Sequence, residues 1–276
     1  MKKQEGMAMI IAVNIGNTRI SVGFFDDASS CVKYKLELST DYTKTVDEYF
    51  ATVKLIIRES GFDIDGLCGG VVSSVVPQLT ETLCETVRRF TGEEPLLVGP
   101  GVKTGFPIKI DSPAELGGDM VANAAAVVAK NKNENNTRAS VVVDMGAVTT
   151  VSAINKHGEF VGCSIIPGVQ MSLEALHGNT ALLPNVAYSA QTRAIGKNSQ
   201  ESVRSGVILG HAMMLDGFVL RFAKEMKATA EEINCVITGE YAKYVLPMCR
   251  TSFEYDEELT LAGLWFIYRK SKEIKA

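Results

Sequence analysis

The chain has 276 residues, of which 46% are hydrophobic and 22% charged, and its formal net charge is -4. That is enough apolar material for one large core or two smaller ones, and a mildly acidic balance argues against non-specific nucleic-acid binding, which requires a basic face. No run approaches the roughly 20 apolar residues of a membrane helix, so the expectation is a soluble, cytoplasmic protein with no nucleic-acid or membrane partner.

The first apolar run, Ala8 to Val13, follows Met1-Lys2-Lys3-Gln4-Glu5-Gly6-Met7 without a small-residue cleavage site and reads as a strand rather than a signal peptide. Asn14-Ile15-Gly16-Asn17-Thr18 separates it from a second strand, Arg19 to Phe25, and Gly16-Asn17 is a hairpin signal because both residues tolerate positive φ. A third strand is expected near Val32 to Leu38. Val46, Phe50, Val53 and Ile57 share one helical face between Thr45 and Glu59. Leu67 to Val72 reads as a buried strand, and Pro77 opens a helix that runs to about Arg89. A short strand, Leu96 to Val98, and a turn-rich loop, Gly99 to Ser112, precede a helix predicted from Pro113 to Lys130. The polar stretch from Asn131 to Arg138 reads as a solvated loop between two halves. Strands restart at Ser140 to Val143, Val151 to Ile154 and Glu159 to Ile166. The remainder is expected to be mostly helical, with a helix from Gly206 to Lys227 and a late strand, Val236-Ile237, ending at Thr238-Gly239.

The six cysteines are scattered without a C-x-x-C pair, which fits free thiols in a reducing compartment. His157, His177 and His211 are isolated and lack zinc-ligand spacing. The two halves open alike, as strand, glycine turn with hydroxyl residues, strand, turn, strand. This weak repetition suggests two related α/β domains, 8–130 and 139–276, with a cleft between them. A turn carrying Gly and Thr can aim backbone N–H groups and a hydroxyl at phosphate oxygens. Taken alone, Asn14 to Thr18 fits an ordinary hairpin as well.

At this point the residues resemble a known family. Val13-Asn14-Ile15-Gly16-Asn17-Thr18-Arg19-Ile20 is similar to the D-x-G-N-T phosphate loop of the acetate and sugar kinase, Hsp70 and actin superfamily, in the form found in type III pantothenate kinases. Ser73-Ser74-Val75-Val76-Pro77, Gly117-Gly118-Asp119, Asp144-Met145-Gly146-Ala147-Val148-Thr149-Thr150, Pro167-Gly168, Thr180 to Pro184, Gly196 to Ser199 and Leu259 to Leu264 follow in family order. The resemblance implies two ribonuclease-H-like domains with mixed sheets flanked by helices and an ATP cleft between them. It implies a homodimer, and ATP-dependent phosphorylation of pantothenate with Mg²⁺ and a monovalent cation, K⁺ or NH₄⁺.

Carried over residue by residue, the resemblance makes Asp119 the catalytic base, a role a carboxylate within hydrogen-bond reach of an alcohol can fill. An acid favoured by the helix dipole in a first turn is the plainer alternative. Asn14, Gly16, Asn17, Thr18, Arg19, Gly146, Ala147, Thr149 and Gly239 fall at the ATP site, where close backbone approach favours glycine. Thr149 and Thr150 are also ordinary strand formers, and Gly239 could be a simple turn glycine. Ile110, Gly117, Gly118, Asp119, Met120 and Ser199 fall at the substrate site. Asp144 matches the monovalent-cation position, although Asp also opens turns by capping local N–H groups.

Several of these positions depart from the family pattern. Asn14 replaces an Asp that organises Mg²⁺, losing a charge beside a dication. Ala147 replaces a Thr, Met120 the Arg of G-A-D-R, Ile110 a substrate-contacting Tyr and Ser199 a Thr, and Glu240 stands where a second Gly is usual. Met120 and Ile110 make the acceptor pocket more apolar. The pattern therefore allows a pantothenate kinase, a kinase for another small alcohol, or a non-catalytic ligand-binding relative.

Overall fold

The computed structural model describes residues 8–26, 29, 31–190 and 193–273; the lead-in 1–7 lies outside them. Two compact units divide the chain. The first contains the described residues through Phe106, Asp111–Ala129 and those from Glu258 on, and the second contains Pro107–Ile110 and Lys130–Glu257.

The first unit has a five-stranded mixed sheet of β1 (Met9–Ile15), β2 (Arg19–Asp26), β3 (Val32–Ser39), β4 (Leu67–Ser74) and β5 (Leu96–Leu97), in the order β3-β2-β1-β4-β5. β1, β2 and β3 form an antiparallel meander, and β4 and β5 add in parallel beside β1. Alternation sends Ile11, Val13, Ile15, Val22 and Phe24 into a core roofed by α1 (Val46–Ser60) and α2 (Pro77–Thr91). α1 starts at a Thr45–Glu48 capping box, and α2 starts with Pro77 in its first turn.

A single helix does not run from Pro113. Pro113–Glu115 is one 3-10 turn, Leu116 is extended (φ -72°, ψ 125°), and α3 (Gly118–Asn133) begins afresh. The break falls next to Gly117, where an added Cβ would lie 2.7 Å from Asp119 Oδ1. At its other end α3 continues into the stretch expected to be a loop. Asn131 is buried there and donates to Ser140 Oγ at 3.0 Å, which anchors the last turn.

The second unit repeats the pattern with β6 (Ser140–Met145), β7 (Val148–Ile154), β8 (Phe160–Pro167), β9 (Asn234–Thr238) and the short β10 (Glu254–Tyr255), in the order β10-β9-β6-β7-β8. β6, β7 and β8 are antiparallel neighbours, and β9 and β10 run parallel to β6 and to each other. This sheet and that of the first unit are both ribonuclease-H-like. α4 (Val169–Gly178), α5 (Ser199–Arg204), α6 (Gly210–Glu225) and α7 (Ala242–Val245) accompany it.

α5 and α6 are joined by a π-helical stretch, Ser205–Leu209, into one run, Ser199–Glu225. At 27 residues this run is long and apolar enough, by length and composition, to cross a membrane, contrary to the sequence expectation. Val203, Val207, Ile208, Ala212, Leu215, Val219 and Ala223 are buried in the core of the second unit, so the run packs by one face.

The last helix, α8 (Leu259–Lys272), lies within the segment that the sequence assigned to the second domain. It packs instead against β1, β2 and β4, on the sheet face that α1 and α2 leave uncovered. The crossing with α3 is so close that a Cβ on Gly263 would sit 1.8 Å from Ala122 O. All six cysteines are free, and burial pushes the Cys235 thiol up to about 12.

Candidate functional site

In the first unit, the parallel strands β1 and β4 end side by side, with Asn14 opposite Ser73 and Ile15 opposite Ser74. Asn14 also faces Ser21 on β2. Because Val13 and Ile15 point into the core under α1 and α2, Asn14, Ser21 and Ser73 form a polar row on the opposite face. Asn14 Oδ1 and Ser73 Oγ are buried and have no hydrogen-bond partner in the protein.

The turn beyond this row is a tight hairpin. Gly16 N donates to Arg19 O at 2.9 Å, and Thr40 Oγ1 donates to Gly16 O at 2.6 Å. Neither Gly16 nor Asn17 has positive φ, so the conformational reason expected from the sequence does not apply. Space favours Gly16, since a Cβ would lie 3.0 Å from Arg19 O, a tight contact. Asn17 and Thr18 are exposed at the tip. Arg19 pairs across the sheet with Glu37 at 2.9 Å, in solvent.

The N-terminus of α3 lies against the end of β4. Gly118 is buried, and a Cβ on it would stand 2.6 Å from Ser73 Oγ. The next residue, Asp119, is half-buried and uses Oδ1 to accept the Met120 backbone N–H at 2.7 Å. Burial raises the Asp119 carboxyl above its ordinary value, opposed by the backbone N–H groups of Met120 and of Asp119 itself. No cation pairs with it among the described residues. A desolvated, unpaired carboxylate in a first helical turn is what a general base needs.

In the second unit, Asp144 pairs with Thr150 on β7 and with Thr238 on β9, so these three share a face at the end of β6. Thr149 is opposite Met145 and lies on the other face, with Val143 and Val151 of the core. Its hydroxyl is buried without a partner in the protein. The turn Gly146-Ala147 is crossed closely by two glycines. A Cβ on Gly168 would lie 2.3 Å from Ala147 O, and one on Gly239 would lie 2.5 Å from Met145 N. Gly239 also has φ +97°, so both its conformation and its surroundings exclude a side chain. Tyr241 N donates to Met145 O at 3.2 Å and fixes the chain after Gly239. His211, buried, places its ring nitrogens 2.6 and 3.0 Å from the carbonyls of Val207 and Pro167, which secures the lead into Gly168.

Residues 10–221 match the type III pantothenate kinase family. The type III pantothenate kinase of Geotalea uraniireducens (strain Rf4) is 36% identical over 265 residues, 96% of this chain and 100% of that one. The chain belongs to the type III pantothenate kinase family. Among solved structures, a Baf family transcriptional activator so described from Campylobacter jejuni has a TM-score of 0.57 at 16% identity, covering 95% of this chain and 99% of its own. An inorganic polyphosphate/ATP-glucomannokinase from Arthrobacter sp. strain KM has a TM-score of 0.50 at 12% identity, covering 98% and 100%. Both likenesses are likenesses of fold.

For a type III pantothenate kinase family member, the departures sit in distinct surroundings. Asn14 and Asp119 belong with Ser73 and Gly118, while Ala147 and Gly239 join Asp144 and Gly146. Met120 is 6% exposed and points away from solvent. Ile110 is half-buried just past Lys109, whose N–H donates to Phe160 O at 2.7 Å. Ser199 is exposed as the first residue of α5, behind the N-cap Asn198, whose side chain accepts from Glu201 N.

The family implies a divalent metal, and the donors present fit it in one way. Among the described residues no group of three or more His, Cys, Asp or Glu side chains could cage a metal. The unpartnered Oδ1 of Asn14 is a neutral acceptor suited to a water of a hydrated cation. Sequence reasoning passed over Ser73 as a site residue. The available signal was a hydroxyl pair, Ser73-Ser74, ending an otherwise small and apolar strand.

Proposed function

We propose that this chain transfers the terminal phosphoryl group of ATP to the primary hydroxyl of pantothenate, giving 4'-phosphopantothenate and ADP, the first step of coenzyme A biosynthesis. Family membership over nearly the whole chain supports the substrate pair. The observation that carries the chemistry is Asp119, desolvated and without a cation in the first turn of α3. In this reading the Asp119 carboxylate takes the alcohol proton as the acceptor oxygen bonds to phosphorus and the bridging bond to ADP breaks. Gly16, Asn17 and Thr18 meet the nucleotide phosphates from the β1–β2 turn, and Gly146, Thr149 and Gly239 belong to the nucleotide side of the second unit. A divalent ion supplies charge neutralisation when bound, with Asn14 accepting from its water. Asp144 is assigned to a monovalent cation, K⁺ or NH₄⁺.

The reading extends to a cytoplasmic homodimer. Its support is an exposed apolar stripe on α6, where Met213 is 65% and Leu220 62% exposed. Gly117, Gly118, Met120, Ile110 and Ser199 are assigned to the acceptor. The apolar Met120 and Ile110 favour, as a second reading, a related small alcohol with less negative charge than pantothenate.

The test is coupled ADP release from purified protein with ATP, Mg²⁺, K⁺ and pantothenate. Pantothenate-dependent release is expected. Release with another small alcohol but none with pantothenate favours the second reading, and none with any acceptor refutes both.

A further inference from the structure

Ser73 is the deepest polar residue of the first unit's cluster, with no exposure, and its hydroxyl has no hydrogen-bond partner in the protein. Burying a hydroxyl unmet is costly, and folds keep such groups where they serve something else. Its position is specific. Register places it beside Asn14 at the end of β1, next to the turn assigned to the nucleotide. The Cβ-sized gap at Gly118 places its Oγ against the N-terminus of the 16-residue helix α3, one residue before Asp119. A group between the phosphate-holding turn and the proton acceptor lies where the phosphoryl group must pass in transfer from ATP to alcohol. A helix N-terminus adds partial positive charge at that point.

We propose that the Ser73 hydroxyl is a catalytic residue that donates a hydrogen bond to an oxygen of the transferring phosphoryl group. It keeps its own proton and forms no covalent bond. Charge on the phosphoryl oxygens is stabilised by a donor that is already placed and dry, which is worth far more than the same bond in water. The inference rests on the kinase reading, and nothing else on β4 performs this task, since Ser74 Oγ is already engaged with the Val76 N–H and Thr80.

The test is Ser73→Ala, with Ser73→Cys as a near-isosteric variant that donates weakly. The expected result is a kcat lower by about 100-fold or more in Ser73→Ala, with KM for ATP and pantothenate changed less than about threefold. Ser73→Cys should fall between it and the wild type. The melting temperature of the ligand-free Ser73→Ala protein should be within about 2 °C of wild type or above it, because no protein hydrogen bond is lost. A kcat within about threefold of wild type overturns the proposal. So does a melting temperature lowered in proportion to the lost activity, which would mark a structural residue. If the wild type ignores pantothenate, that failure belongs to the substrate assignment. The slow transfer from ATP to water, which needs the same donor and no pantothenate, then decides Ser73 by the same comparison, and absence of any phosphoryl transfer by the wild type overturns both.

Discussion

The contact between Gly118 and Ser73 can be tested by filling it. In Gly118→Ala the new Cβ would stand 2.6 Å from Ser73 Oγ, 3.5 Å from Ser73 Cβ and 3.6 Å from Val98 O. Only the first distance is impossible, and the offending atom is a rotatable hydroxyl. The hydroxyl must therefore leave its well, at about 0.5–1.5 kcal/mol for a strained rotamer, with overpacking of about 1–3 kcal/mol if the helix start moves instead. Against this stands about 1 kcal/mol gained by replacing Gly with Ala in a helix. The single variant should thus be destabilised by roughly 0–2 kcal/mol. In the Ser73→Ala background the clash vanishes while the 3.5 and 3.6 Å contacts remain ordinary, and the same substitution should stabilise. Urea midpoints of wild type, both single variants and the double variant should show a coupling of about 1–2 kcal/mol. Turnover supplies a second readout: if Gly118→Ala pushes the hydroxyl aside, it should cost as much kcat as Ser73→Ala, and the double variant no more than either. Additivity within about 0.5 kcal/mol, or a Gly118→Ala enzyme of normal kcat, would refute the reasoning.

Asp119→Asn should lower kcat by about 100-fold to 10,000-fold with little change in KM, read by ADP release. Because burial raises the Asp119 carboxyl above 3.8, the acid limb of the wild-type kcat profile should lie above that value and flatten in the variant. The sign for stability follows from the same shift: a raised carboxyl contributes its stability below its unfolded value and loses it as pH rises through its folded one. Asp119→Asn should therefore melt no lower than wild type near neutral pH, with the difference shrinking toward acid. Asn14→Asp places a carboxylate where the amide oxygen has no protein donor. It should melt lower without metal, by about 1–3 kcal/mol in stability, and regain more than wild type on adding Mg²⁺ and ATP. Equal recovery in both proteins would count against a metal-bound water at this position. Gly263→Ala drives a side chain to 1.8 Å from Ala122 O, a backbone atom that cannot swing aside, and should cost about 3 kcal/mol or more in urea denaturation.

What the sequence could and could not disclose follows from the range of the interactions involved. The β1–β2 hairpin was legible because alternation and a short turn are local, although Gly16 is favoured by its close approach to Arg19 O and not by positive φ. α1 and α2 were legible because their caps and apolar stripes lie within a few turns. The return of α8 to the first unit was not, since its apolar face would suit either sheet and only long-range contacts decide, among them Gly263 on Ala122, Leu261 on Gly23 and Tyr268 on Gly69. The break before α3 was hidden by Pro113, which is a legitimate helix start. The turn nevertheless ends at the extended Leu116. The Ser199–Glu225 run has no unbroken apolar stretch to mark it, and its length shows only once the π-helical stretch joins α5 to α6. In the candidate site, motif order singled out Asp119 and Asp144, whereas Ser73 carried only the faint signal of a hydroxyl pair at a strand end. Ser73 acquires meaning only when β1, β4 and α3 are brought together.

Three buried side-chain oxygens without a protein partner stand out among the described residues: Asn14 Oδ1, Ser73 Oγ and Thr149 Oγ1. At about 1–3 kcal/mol each if left unmet, they weigh heavily against a typical net stability of about 5–15 kcal/mol. They are not scattered. Asn14 and Ser73 are each one residue from the end of the parallel strands β1 and β4, and Thr149 is opposite the last residue of β6. Close glycine approaches also fall at these ends, Gly118 on Ser73 and Gly168 and Gly239 at the β6–β7 turn. In open α/β sheets the carboxyl ends of the strands are where ligands bind, and close backbone approach with unspent hydrogen-bonding capacity is what a polyanion requires. Buried side-chain oxygens left unmet at strand ends, and not elsewhere among the described residues, are hard to explain by packing. They follow directly if the missing partners are phosphate oxygens and the waters around them.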